Sequence, residues 1–306
     1  MLTFSRNKLL EQPAAMKKSL IFALAITLLV SGCSTASLIY RNAEGYLEYK
    51  INGYTSFNAR QKETIRQDVS DYMRWHRKYA LPEYIIFLQN LNGSAQYEGR
   101  LSAETAAQLR GQLMNLYRET MAPAIRPAAL LLSSLDSAQI LELGRTFAED
   151  FKKQKQEEIG ESLDDSLDKR AKKTLAFLDW LAGDLSSQQV QQIREMSRRL
   201  PFAAPIYIQN REANQRRLIA LLSGHASADQ IAAFLSSWIF TPEATRSPEQ
   251  QRVIQSFETG SDQMIVQIQA LLTPRQKNHI HERLSANIEE MRELATDKPA
   301  AGGVSR

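Results

Sequence analysis

The sequence has one cysteine, Cys33, in 306 residues. That excludes an intramolecular disulfide framework and any zinc or iron–sulfur site built on several cysteines. Glycine (13) and proline (10) are scarce, which excludes collagen-like and low-complexity chains. No stretch reaches the roughly 20 apolar residues of a membrane-spanning helix. No long run alternates with period two, so strands are not signalled. The four histidines are His76, His225, His279 and His281. His279 and His281 stand two apart on a predicted helix and point away from each other, so they do not form an i,i+4 chelating pair. Gly224-His225 reads as a solvated turn. No phosphate-cradling glycine loop, carboxylate-rich metal loop or Gly-x-Ser-x-Gly elbow occurs. Acidic pairs such as Asp164-Asp165 lie in mixed charge with nothing apolar to raise a pKa. The expectation is a protein that is not an enzyme and uses no cofactor and no metal.

What is present begins at the N-terminus. Lys17-Lys18 precedes an apolar run from Leu20 to Val30, and Ser31-Gly32-Cys33-Ser34 comes next. A basic flank, a short apolar core and small residues describe a secretory signal. Met16 opens this signal, so translation is expected to start there. Val30-Ser31-Gly32-Cys33 resembles the lipobox of bacterial lipoproteins. The resemblance implies diacylglyceryl transfer to the Cys33 thiol, cleavage before it and acylation of the new amine. Two or three acyl chains make a permanent anchor. Ser34, in place of Asp, implies the outer membrane and its periplasmic face. Of 38 basic and 34 acidic side chains, Arg6, Lys8, Lys17, Lys18 and Glu11 fall within residues 1–32. The chain from Cys33 therefore has a nearly balanced charge, and any basic character that matters must be local.

From there the chain reads helical. Ile65, Val69, Tyr72 and Met73 share one face, and Ile280, Leu284, Ile288, Met291 and Leu294 repeat the pattern. Helix starts are marked by a capping residue with Gln three positions on: Asn58/Gln61, Asp136/Gln139, Ser186/Gln189, Ser227/Gln230, Ser247/Gln250 and Thr273/Gln276. This is the capping box, in which each side chain satisfies an orphan N–H of the other. Pro248 and Pro274 suit the first helical position. Asn92-Gly93, Ala182-Gly183 and Ser223-Gly224 read as C-terminal caps. Leu81-Pro82 and Leu200-Pro201 read as breaks, and Pro123 and Pro127 as kinks or divisions. The predicted helices are 36–51, 59–79, 83–91, 103–121, 125–133, 137–158, 163–181, 187–199, 205–222, 228–238, 248–270 and 275–295. The fold class is all-α, about a dozen capped helices in one multi-helix bundle or a two-lobed helical domain. Its domains are a leader and signal over 1–32, a helical domain over 33–296 and a disordered tail over 297–306.

Two local features invite function. Tyr72-Met73-Arg74-Trp75-His76-Arg77-Lys78-Tyr79 mixes aromatic and cationic side chains on successive turns. Such a cluster suits an anionic or planar group through cation–π contacts and guanidinium forks. The alternative is that Trp75 is core and that His76 and Arg77 bond to neighbouring helix ends. The second feature is Arg194, Arg198, Arg199, Arg211, Arg216 and Arg217, which would line a groove with Arg74 and Arg77 if the two segments pack together. The alternative is a solvated basic face. The candidate binding residues are Trp75, His76, Arg77, Arg198 and Arg199. The charge-dense stretch from Glu149 to Lys173 reads as a solvated helical hairpin turning at Gly160, or as a docking surface.

Phe57–Asn90 and Leu185–Asn210 resemble each other: Gln61 and Gln189 precede Ile65-Arg66 and Ile193-Arg194, and each segment then reaches Leu-Pro. The second copy is shorter by about nine residues. Duplication and shared helix grammar both account for this.

Leu272-Thr273-Pro274-Arg275-Gln276 resembles the Leu-Thr-x-x-Gln motif of the Spy and CpxP periplasmic chaperone family, and Leu185–Gln189 matches it more loosely. The lipobox, the aromatic stretch Tyr40 to Tyr54, the Gln61 helix start and Trp75-His76-Arg77…Leu81-Pro82 resemble a family of uncharacterised proteobacterial lipoproteins. That likeness implies a helical envelope lipoprotein and no activity. The expected function is a lipid-anchored binding protein of the envelope. Its partners are the membrane, through Cys33, and an envelope protein or anionic component, with no nucleic acid. The alternative is a Spy-like chaperone, and a cell-wall enzyme ranks last.

Overall fold

The computed structural model describes residues 35–96 and 101–296. The signal, Met16, Cys33 and the tail after Thr296 lie outside the described residues. Within them the protein is all-α, with no strand. The helices are α1 (Thr35–Arg41), α2 (Ala43–Asn52), α3 (Ala59–Trp75), α4 (Leu81–Gln96), α5 (Ala103–Ser133), α6 (Ser137–Glu158), α7 (Leu163–Ala182), α8 (Ser187–Arg199), α9 (Ala204–Ser223), α10 (Ala228–Phe240), α11 (Pro248–Leu271) and α12 (Pro274–Thr296). Among the described residues no helix is long and apolar enough to cross a membrane.

Three apolar clusters hold the helices together. The first joins α1 to α4 with α12, around Ile65, Met73, Leu81, Leu88, Leu284 and Leu294. The second joins α5, α6, α9 and α10, around Ala129, Leu143, Leu218 and Ile231. Leu135 packs against both. A smaller third cluster ties α7, α8 and α11 at Leu178, Ile193 and Ile268. The bundle is thus continuous between its first two parts, and α5 also packs along α11.

All six capping boxes form. Four of them do more than cap. Gln61 and Gln139 are buried and exchange amide hydrogen bonds: the Gln61 Nε2–H donates to Gln139 Oε1 (3.1 Å) and the Gln139 Nε2–H to Gln61 Oε1 (2.7 Å). Gln189 and Gln276 make the same reciprocal pair at 2.8 and 3.1 Å. Each amide also donates to a backbone carbonyl just before the opposite helix: Ser134, Ser56, Leu271 and Asp184, for Gln61, Gln139, Gln189 and Gln276 in turn. Helix starts are rich in unpaired N–H groups that resist burial. Paired glutamines let two such starts meet inside the protein with every polar group satisfied. The similarity of Phe57–Asn90 to Leu185–Asn210 therefore extends to a shared joint, with Ile65 and Ile193 both buried one turn on.

Several predicted breaks are not breaks. Leu81-Pro82 reads in sequence as a helix end, yet α3 runs into α4 through a π-helical turn, His76–Ala80. The Leu81 N–H donates to the His76 carbonyl, five residues back. Pro82 has no N–H, and its ring would strike the carbonyl four back in an α-helix; the wider turn removes that conflict. In the second copy Leu200 is extended and the chain does break. Likewise α5 continues through Pro123 and Pro127, because packing against α3, α10 and α11 outweighs two lost bonds. Asn92-Gly93 does not cap α4: the Asn92 side chain reaches α12, donating to Ser285 Oγ (3.1 Å) and pairing with His281 Nδ1 (2.8 Å). Gly183 takes the left-handed φ of +78° expected of a C-terminal glycine, but after α9 that role falls to exposed His225 (φ +53°), not Gly224.

Candidate functional site

The Trp75-His76-Arg77 cluster folds inward. His76 is 1% exposed. Its Nδ1 lies 2.9 Å from the Tyr40 hydroxyl, and its ring contacts those of Tyr40, Tyr72, Trp75 and Tyr84. Burial, helped by the Arg77 charge, pushes the imidazole pKa down to about 4, so it is neutral at physiological pH. Arg77 lies over the Tyr40 ring, 5.8 Å from its centroid. His76 is therefore a core residue, not a surface ligand contact. Its place three residues after Met73 continues the buried Ile65, Val69 and Met73 face of α3, while Lys78 and Tyr79 are exposed.

The predicted arginine groove does not assemble. Arg198 is claimed by Asp164 and Asp168 on α7. Arg199 is exposed and borders a separate cleft between α8 and α11. Arg216 pairs with Glu212 at 2.8 Å. The helices α7 and α8 face each other, so the basic end of α8 meets the acidic first turns of α7 and the charges neutralise locally. Much of the charge-dense hairpin is likewise paired, Lys169 with Asp165 and Lys173 with Glu158, both at 3.0 Å.

The structure instead opens two adjoining cavities. A basic chamber of about 780 Å³ lies among α5, α6, α7, α9, α10 and α11. Met121, Phe147, Phe202, Trp238 and Phe257 supply apolar walls, and Lys169, Arg170, Lys173, Arg211 and Arg246 supply positive charge. An apolar chamber of about 640 Å³ lies between α3 and α5, walled by Ile65, Trp75, Ala124, Ala128 and Leu131, with Asp68 and Asp71 as its carboxylates. Tyr54, Met121 and Phe147 line both. Both volumes are in the range of small-molecule sites.

Tyr54 is positioned by Glu142. The Ser56 N–H and the Ser56 and Thr55 hydroxyls donate to that carboxylate at 2.6, 3.0 and 3.0 Å, and hold its pKa below the usual range. The Thr146 hydroxyl donates to the Tyr54 carbonyl at 3.0 Å. The Tyr54 ring then meets Phe147 edge-on, 5.9 Å between centroids.

The charges of the basic chamber divide into two kinds. Its two lysines are matched to the acids Asp165 and Glu158. Glu258, which acts on nearby Tyr207, is paired to Arg110 at 3.2 Å. Three guanidiniums have no carboxylate partner within 4 Å among the described residues. Arg170 donates to the carbonyls that end α8, Ser197, Leu200 (2.9 Å) and Pro201 (2.9 Å), and its Nε is buried without a partner. Burial works against its charge. Arg211 donates to Gln154 Oε1 at 3.1 Å. Arg246 lies 5.7 Å over the Tyr207 ring and also has a buried, unpartnered Nε. Such an array of guanidiniums suits an anion. Among the described residues no group of three His, Cys, Asp or Glu is placed to hold a metal. His279 and His281 go to different partners, Arg283 and Asn92.

Of the predicted binding residues, only Trp75 lines a chamber. Arg211, from the broader arginine set, lines the other. Sequence reasoning passes over Arg170 and Arg246: each stands among other charges in its own helix or loop, and only the tertiary arrangement around the basic chamber brings them together.

A family model described as a family of unknown function, DUF6279, matches residues 53–250. The chain belongs to DUF6279. The DUF6279 match takes in Trp75, Tyr54, Arg170, Arg211 and Arg246, and so both chambers' principal walls. It stops short of α12, which completes the Gln189–Gln276 joint. No curated protein and no solved structure matches the chain.

Proposed function

We propose that this DUF6279 protein is a non-catalytic binding protein of the bacterial envelope, anchored by acyl chains on Cys33 to the periplasmic face of the outer membrane, and that it takes an anionic ligand in the basic chamber. The observation that carries this reading is the set of three guanidiniums, Arg170, Arg211 and Arg246, without carboxylate partners around one cavity. Their partners are neutral carbonyls, amides and a ring, so their charge is not neutralised beside the apolar walls, and an anion supplies the missing countercharge. The lipobox supports the anchor, and so do the side chains C-terminal to it. Exposed Leu38, Tyr46 and Tyr49 follow Cys33 closely in the sequence, with Lys50 over both tyrosine rings. Exposed aromatics beside a cation suit the headgroup layer. The Spy-like reading rests on Leu272–Gln276, and the buried joint with Gln189 accounts for that motif without a client.

Two measurements test the proposal. Cys33→Ser should move the protein from the membrane to the soluble fraction and abolish palmitate incorporation; retention of either property defeats the anchor. Titration of the full chain with hexanoate or inorganic phosphate should give binding that falls at least about tenfold in Arg211→Glu and Arg246→Glu. Binding unchanged by both variants defeats the anionic site.

A further inference from the structure

We propose that the two chambers form one site for a single acyl chain ending in a carboxylate or phosphate, with the headgroup at Arg170, Arg211 and Arg246 and the tail running past Tyr54 and Phe147 toward Trp75. This rests on the anionic reading and specifies what the anion carries.

Tyr54, Met121 and Phe147 belong to both cavities, so the two spaces adjoin at these three residues. Met121 is unbranched and flexible, a residue type that adapts to what passes it. The further chamber is lined almost wholly by apolar side chains from α2, α3, α5 and α6. An inorganic anion would fill only the basic end and leave this space unused.

Charge then orients the occupant. Every cation lining the pair of cavities is in the basic chamber, and the apolar chamber's only charged residues are Asp68 and Asp71. Asp68 has its pKa raised by burial, and Asp71 is paired with Arg74. An anionic head is attracted at one end and repelled at the other. A ligand with an anionic head at both ends finds no complementary second end. Apolar length with one terminal negative charge is the chemistry that fits.

The test uses the full acylated chain in phosphatidylcholine nanodiscs with photoactivatable hexanoate, palmitate, palmitoyl-lysophosphatidate and hexadecanol. Half-saturation of labelling gives apparent affinity, and peptide mapping gives the site. Palmitate or the lysophosphatidate should label peptides bearing Met121, Phe147 or Trp75. The tighter of the two assigns the head as carboxylate or phosphate. Half-saturation should come at least about tenfold below that for hexanoate, since each buried methylene is worth about fourfold. Hexadecanol should bind at least about tenfold more weakly than the anions. Ala128→Phe, which fills the apolar chamber, should weaken palmitate by about tenfold or more and leave hexanoate unchanged. Ala124→Leu is the milder second variant if the first lowers the unfolding midpoint. If hexanoate and palmitate bind alike and both depend on Arg246, the acyl-chain inference falls and the anionic site stands. If neither depends on the arginines, both fall.

Discussion

Gln139→Ala is expected to destabilise the protein by about 3 kcal/mol, several times the effect of the same change at Gln230. Both residues occupy the third position of a capping box. Gln230 is exposed, and its box serves only α10. Losing an exposed box costs about 1 kcal/mol or less. Gln139 is buried, accepts from the Asp136 N–H, and exchanges both amide bonds with Gln61 while holding the Ser56 carbonyl. Truncation removes the cap and leaves the buried Gln61 amide short of partners, at about 1–3 kcal/mol for an unsatisfied buried group. Water reaches Ser56 and Asp136, so those groups add little. The double variant Gln61→Ala/Gln139→Ala should cost less than the sum of the singles by about 1–2 kcal/mol, because the second change removes the orphan created by the first. Urea unfolding of the four proteins reads this directly. Equal losses at Gln139 and Gln230 would mean that the joint is decoration and the caps are all that matter.

That contrast also marks how far the chain can be read before it folds. Helix starts are local: an oxygen at the cap and a glutamine three residues on settle them within a single turn, so α6, α8, α10, α11 and α12 begin within a residue of expectation. Which boxes pair is not local. Ser227/Gln230 and Ser186/Gln189 look alike in sequence, yet one is solvated and the other is bonded across 87 residues. Proline misleads for a related reason. Its cost is local, but whether a helix survives depends on packing, and the π-turn at His76–Ala80 and the uninterrupted α5 are both sustained by tertiary contacts. The site shows the same division. Aromatic and cationic richness at Trp75–Arg77 is visible in the sequence, but the side chains that face a cavity are set by which helices meet. Arg170 turns toward the end of α8 while its neighbour Lys169 pairs with Asp165, and no periodicity in α7 distinguishes the two.

The buried imidazole gives the protein an acid limit. His76 titrates near 4 in the folded chain and near 6.5 when unfolded, the shift coming from burial and then from Arg77. A base whose pKa is depressed by folding contributes its full stability above the unfolded value. Between pH 6.5 and 4 the unfolded chain binds the extra proton, so stability falls as pH falls through that window. The shift corresponds to a loss on the order of 3 kcal/mol. The groups around the ring do not offset it: buried Tyr40 and Tyr84 and partly buried Tyr72 are neutral, their pKa values pushed up by burial, and Arg77 repels a second positive charge. Removing His76 alone would strand the Tyr40 hydroxyl, so the informative protein is Tyr40→Phe/His76→Leu, which deletes both ends of the bond. Its stability should change less between pH 7 and pH 4 than that of the parent, by about that same amount, as measured by urea unfolding at each pH. Other titrating groups contribute equally to both proteins and cancel in the difference. If the two profiles run parallel, the imidazole reaches water or a proton donor in the folded state, and the aromatic enclosure of Tyr40, Tyr72, Trp75 and Tyr84 is more open than its geometry requires.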